Sequence, residues 1–425
     1  MDLPPTLNAN PHSRYPGYFN SPWPCEDAGP DRLQAYRGFD WPEGQQPTLT
    51  HRRTQLSTMV VLGAPGDVYL LTHSALRAKL GLPTHASVER IDPLTLKPIA
   101  RSPKLAGGPM WPGGLAVHAN GLVPVVYGRH AHLLDRDCQV IAHRELLVNE
   151  PHNSFVILEN GWIVTKNLSR SHPAVLQVLD PLTLNPVCQP IPCKEPSIAR
   201  LSALGNTVYV AGMRHLYRYT VTTSGQGLER DEGWQPDYMG NAMNTHGWDM
   251  VLDGQSAWLM DNGHHRYQMW MLNAGVSKTA NRVIRVSLSN AADVQSLEVS
   301  GLSGGSVTNP PLFCPQRRVL LAYDSANAVL KAWRVLDGGA SWELLWEKSP
   351  FGCASHMVLM QGSGVVWVND YRRFSERVVA LNLETGEELA RVKTPGMMQG
   401  VVFPCPGWNR DLYWVSMDQV CRLSM

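Results

Sequence analysis

The sequence has no run of 18 or more apolar residues, which excludes a membrane-spanning helix. It has no sustained charged heptads, so no long coiled coil is expected. Charge of either sign is not in excess: 37 Lys and Arg against 36 Asp and Glu leave a net +1. No overall field therefore directs the chain to nucleic acid or to a membrane surface. Paired cysteine motifs are missing too. The 8 cysteines are scattered, and Cys188 and Cys193, the nearest pair, lack a matching second pair. A cysteine zinc site is not expected, and buried free thiols are. The opening MDLPPTLNANPHSRYPG has no basic start followed by an apolar core, so a cytoplasmic location is expected.

What is present is an ordinary globular composition, 44% hydrophobic and 17% charged, with 36 Gly and 32 Pro. Many short elements joined by turns are implied. A length of 425 residues calls for two domains or one large repeat fold. The repeat is visible. Residues 151–167, PHNSFVILENGWIVTKN, read as an apolar strand, an Asn-Gly turn and a second apolar strand. Related hairpins occupy 56–73, 113–128, 197–212, 246–262, 309–324, 355–370 and 398–416, the one at 309–324 without its Gly turn. A second kind of hairpin turns on Asp or Asn, as in VERIDPLTLKPIA, LQVLDPLTLNPVC and VVALNLETGEELA. The spacing, about 40 to 60 residues, suits four-stranded propeller blades.

The expected fold is therefore all-β, a single eight-bladed β-propeller over residues 51–425, with seven blades as the alternative. Residues 1–50 read as an extended arm packing on it, with one short helix near DRLQAYRGF. The last blade runs out of chain after three strands, so a strand near 45–55 is expected to complete it and protect its edge.

In such a disc the entrance of each inner strand and the exit of its partner lie on one face. The entrances hold His152, His246 and His356, and the exits hold Asn167, Asp261 and Asp370. The loops that follow carry Arg129, Arg170, His172, Arg214, His264, His265, Arg266 and Arg372. By this register ten of the 15 histidines share one face. Two chemistries would use that. Three neutral imidazoles converging on the axis could ligate one divalent metal, Fe, Cu, Mn or Zn, with Asn167, Asp261 and Asp370 orienting them from behind. A set of three leaves an open catalytic position. The arginines suit a carboxylate or phosphate on a small substrate. The insertions 218–245 and 263–283 bring Trp234, Tyr238, Tyr267, Met269 and Trp270 to roof a pocket.

At PHNSFVILENGWIVTKN the chain resembles the carotenoid cleavage oxygenases, whose propeller histidines hold Fe(II); His246 and His356 share that placement. More widely it resembles quinoprotein-like and lactonase-like propellers, through hairpins such as NLETGEELARV. Pyrroloquinoline quinone is not expected, since the repeated Trp-docking signature and adjacent cysteines are absent. The lactonase likeness implies Ca as a weaker alternative, on Asn167, Asp261, Asp324 and Asp370. Two functions follow as expectations. One is a metal-dependent oxygenase, lyase or hydrolase acting on a small anionic, partly apolar substrate. The other is a non-enzymatic propeller binding a small anion or a protein on its Arg/His face.

Overall fold

Apolar runs cut by Gly, Asn and Asp turns form strands wherever the period-2 pattern marks them. The computed structural model describes residues 14–41, 44–108, 113–267, 269–399 and 403–424. Among these the only helices are three short 3-10 turns, Glu26–Ala28, Ala75–Leu80 and Asp337–Gly339.

Each expected hairpin is a pair of adjacent antiparallel strands. The third, for example, pairs His152–Ile157 with Ile163–Asn167, and the fifth pairs Val251–Leu252 with Ser256–Met260. The sixth, without its glycine, still turns because Arg318 takes the left-handed conformation itself, at φ 51°. Two further strands follow each of the first seven hairpins, and five of the sheets are four strands hydrogen-bonded in chain order. Middle strands such as Val68–His73 and Val319–Asp324 are buried along their whole length, so both sheet faces are covered. Packing between sheets is apolar and aromatic: Trp258 stacks on Phe313 with centroids 4.5 Å apart, joining the fifth and sixth hairpins.

The second kind of turn has a clear cause. Asp92 Oδ1 accepts the backbone N–H groups of Leu94 and Thr95 and the Thr95 hydroxyl. Asp180 repeats this with Leu182 and Thr183, and Asn382 with Glu384 and Thr385. The carboxylate or amide stands in for a backbone turn acceptor.

The ends of the chain share one sheet. Thr48–Leu62 pairs along 48–53 with the end of Asp411–Ser424, from Thr48 opposite Ser424 to Arg53 opposite Gln419. The same strand then pairs along 56–62 with Val68–His73.

The helix expected near 31–39 is absent, and Ala35–Tyr36 is instead a short strand parallel to Val358–Met360. Arg32 and Gln34, at φ 57° and 56°, hold a conformation that no right-handed helix accepts. The arm threads past the first strands of seven hairpins. Carbonyls of Trp23, Pro24, Pro30, Asp31 and Gln34 accept N–H groups of Leu62, Val117, Ala203, Leu252 and Leu359. Tyr18 Oη accepts from Ile157, and Gln34 Nε2 donates to the Pro311 carbonyl.

Candidate functional site

The three entrance histidines are not equivalent in register. His152 opens its strand, with a bulge between it and Phe155; His356 precedes its strand by two residues and His246 by five. Their side chains go to different places. His152 is buried, its Nδ1 near the Glu150 carbonyl at 3.0 Å and its Nε2 near Gln177 Nε2 at 3.3 Å, on the third strand of that sheet. His356 is buried with Nδ1 2.8 Å from Asp27 of the arm and its ring 4.0 Å from that of Phe403. His246 faces Trp248, 6.3 Å between centroids. Among the described residues no group of three His, Cys, Asp or Glu is disposed to hold a metal ion. The expected triad of His152, His246 and His356 forms no such group, and the three residues lead into their strands by unequal lengths.

The residues expected behind them brace turns. Asn167 accepts the Val175 N–H and donates to Glu150. Asp261 grips the Arg282 N–H and Nε, both at 2.7 Å; burial lifts its pKa to about 6 although Arg282 opposes this. Asp370 accepts from the Gly352 N–H, Arg372 and Arg391. Asp324, offered for Ca, accepts the N–H groups of Ser306, Ala326 and Asn327. Each oxygen set faces its own loop, so the calcium alternative also lacks a shared site.

Charges gather in two places. The first is where the arm meets the first strands. Arg32 Nη1 lies 2.9 Å from both Glu26 and Asp27, its Nε donates to the Leu201 carbonyl, and Nη2 reaches Ser154. Arg200 stands 3.4 Å from Glu26 and from Asp249, with its guanidinium 4.5 Å over the Phe403 ring. All of these groups are buried. Burial acts to raise Asp27, but His356 and Arg32 outweigh it and hold its pKa low. Burial raises Glu26, only partly offset by Arg32 and Arg200. Nearby, burial pushes Lys166 down to about 8, with Nζ 3.3 Å from the Ser197 carbonyl. Sequence reasoning missed this network. Its signal was Arg200 in SIARLSAL and Asp249 in HGWDMVL, charges inside apolar strands.

The second gathering is Arg170, His246, His264 and His265. Trp248 lies between two of the imidazoles, stacked on His265 at 6.5 Å. His246 Nε2 is buried without a hydrogen-bond partner among the described residues. Burial, then the charges of Arg170, His264 and His265, push His246 down to about 3. Burial, Arg170 and His264 push His265 to about 4. Among the described residues no carboxylate lies within ion-pair distance of any of these four; the ion pairs of the chain all involve other residues.

The other expected anion-binding arginines differ. Arg129 pairs with Glu145 at 2.7 Å, Arg214 with Asp237 at 2.6 Å and Arg372 with Asp370 at 3.0 Å. Arg266 is exposed, and Trp270 packs edge-on against Phe374, 5.0 Å between centroids. The roof expected from the insertion at 263–283 reaches across several sheets. Asn273 donates to the Ala326 carbonyl, and Tyr267 Oη donates to the Gln399 carbonyl at 2.5 Å. Trp234 and Tyr238, by contrast, are buried in the core of their own sheet region.

No protein-family model matches the sequence, and no curated protein does. Solved structures do. A quinohemoprotein alcohol dehydrogenase of Pseudomonas putida HK5 superposes with a TM-score of 0.65 at 10% identity, covering 100% of this chain and 83% of that one. Dihydro-heme d1 dehydrogenase NirN, solved in complex with DHE, gives a TM-score of 0.53 at 16% identity, over 80% of this chain and 71% of its own. Apo AztD of Citrobacter koseri gives 0.50 at 11% identity, over 87% and 90%. The fold is that of the β-propellers. Identities this low carry the fold alone, and no helix among the described residues is long and apolar enough to cross a membrane.

Proposed function

We propose that this β-propeller is a binding protein of eight four-stranded blades. In this reading the arm fills the axis, and Arg170, His246, His264 and His265 receive a small anion, a carboxylate, sulfate or phosphate. The observation that carries it is that Arg170 and the three imidazoles, two of them kept neutral by burial and neighbouring charge, have no carboxylate within ion-pair distance among the described residues. Where Arg32 and Arg200 come near the buried His356, by contrast, Glu26, Asp27 and Asp249 are supplied. An uncompensated guanidinium beside imidazoles that can take up protons favours an anion that neutralises them. Arg170 would grip two oxygens, His246 Nε2 would donate one hydrogen bond, and Trp248 would form an apolar wall. The imidazole-bound Fe, Cu, Mn or Zn is not part of this reading, because the described side chains supply no ligand set for it. The arm agrees with it, since it bonds to the first strands of successive hairpins, which in a propeller surround the central channel.

The test is a calorimetric titration of the full chain with sulfate in chloride-free buffer. Charge-assisted hydrogen bonds contribute roughly 1.5–3 kcal/mol, so Arg170→Ala should weaken saturable one-site binding at least tenfold. Arg170 makes no side-chain bond among the described residues, so the fold should be unaffected. Arg214→Ala should bind like the wild type. Equal affinity of wild type and Arg170→Ala would refute the reading.

A further inference from the structure

The anion pocket does not explain the tip of the seventh hairpin's second turn. Val365–Arg372 and Ser375–Asn382 are joined by the two residues Arg373 and Phe374, at φ 51° and 59°. Two left-handed residues in succession are the turn that Asn-Gly makes without strain. A phenylalanine there is strained, because its Cβ crowds the backbone. It is also exposed, 59% accessible. Strain kept at an exposed aromatic points to a use for the ring.

Other apolar side chains surround it. Trp270 meets the Phe374 ring edge-on at 5.0 Å. Met269, 40% accessible, is held by the bond from the Gln399 N–H to its carbonyl. Met397, 66% accessible, is held by the bond from Tyr371 Oη to its carbonyl at 2.8 Å. Three separate segments, two of them hydrogen-bonded through the Met269 and Met397 carbonyls, thus carry accessible apolar side chains near this turn, with Phe374 and Trp270 in direct contact. Aromatic rings and methionines of this kind dominate the centres of protein interfaces.

The charge beside this patch has one sign. Arg377 stands directly opposite Lys393 in the neighbouring strand, a like-charge pair that disfavours the sheet. Arg373 and Arg266 are exposed on the turn and on the roof segment. Among the described residues none of these four has a carboxylate within ion-pair distance. The nearest acid in sequence, Glu376, is buried and held by Thr394, Trp414 and Ser416.

We infer that this surface docks an acidic peptide segment of a partner protein, one that places an aromatic or large aliphatic side chain against Phe374 and Trp270. The acidic residues of that segment meet Arg373, Arg377, Lys393 and Arg266. A membrane surface is the poorer fit. Interfacial anchors present a continuous amphipathic face, whereas these side chains come from short segments bonded at fixed positions. The inference stands independently of the anion pocket.

The experiment pans a random dodecapeptide phage library on the full-length protein, with Phe374→Gly as the comparison. Glycine removes the ring and also relieves the turn, so this variant keeps or raises the melting temperature. Peptides rich in Asp and Glu around a Trp, Phe or Leu are expected. Their synthetic forms should bind at least tenfold more weakly to Phe374→Gly and to the Arg373→Ser/Arg377→Ser variant. No acidic family, or one that binds Phe374→Gly equally, would overturn the inference. So would Phe374-dependent binding to phosphatidylserine/phosphatidylcholine vesicles without peptide binding.

Discussion

The junction of the arm with the first strands and the loop face of this propeller both gather basic residues, and they treat them oppositely. At the junction, Arg32 and Arg200 meet Glu26, Asp27 and Asp249, and His356 meets Asp27. On the face, Arg170 and three imidazoles have no carboxylate within ion-pair distance among the described residues. Buried charges need partners, because desolvation costs several kcal/mol for each unpaired ion. The junction set answers that need within the chain and locks the arm in place. The facial set avoids that cost by leaving Arg170 and His264 exposed and His246 and His265 neutral, and in the proposed reading a ligand completes it. Pairing, more than the number of basic residues, separates a brace from a binding site.

The comparison breaks most visibly at Arg32. Arg32→Met leaves Glu26 and Asp27 buried with less compensation, and should cost about 3–5 kcal/mol in chemical denaturation. A loss near zero would mean that the junction charges are not a brace.

Acid gives the next largest effect. Burial lowers His73 and His152 to about 4. Their folded pKa values lie below the unfolded value of 6.5, so the unfolded chain binds more protons between pH 4 and 6.5. Stability is then full above that window and falls as pH drops through it. Each such histidine should cost about 2 to 3 kcal/mol by pH 4.5, read from urea midpoints across the range.

On the face the sign differs for binding. An anion draws protons onto His246 and His265, which repulsion and burial now keep neutral. Sulfate, whose own charge is fixed, should bind several-fold more tightly at pH 6 than at pH 8, and more weakly in salt. Arg129→Ala is the smallest change. Its pair with Glu145 is partly exposed, so stability should move by less than about 1 kcal/mol and sulfate affinity not at all.

Much of the fold was legible because strand period and turn chemistry are local. NG at 160–161 and DPLT at 92–95 and 180–183 name their own turns. The pairing of 48–53 with the last strand was legible from the strand that the final blade lacked. The course of the arm was not, since its partners are single backbone groups spread over seven hairpins and impose no periodicity. The site was half legible. The Arg/His loops and Trp270 could be named, but Glu145 and Asp237, which neutralise Arg129 and Arg214, lie on other strands or loops. Residue spacing alone therefore could not separate Arg129 and Arg214 from Arg170. His152, His246 and His356 misled for a related reason. A bulge and unequal leads into the strand turn equal sequence positions into unequal directions.

Hydrogen exchange with and without sulfate tests the distinction most directly. The account predicts that Leu62, Val117, Ala203, Leu252 and Leu359, whose amides bond to the arm, exchange slowly and are unchanged by sulfate. Amides at 245–247 and 263–266 should become protected when sulfate is added. Fast or sulfate-sensitive exchange at the arm, with no change at 263–266, would place the binding site on the axis and contradict it.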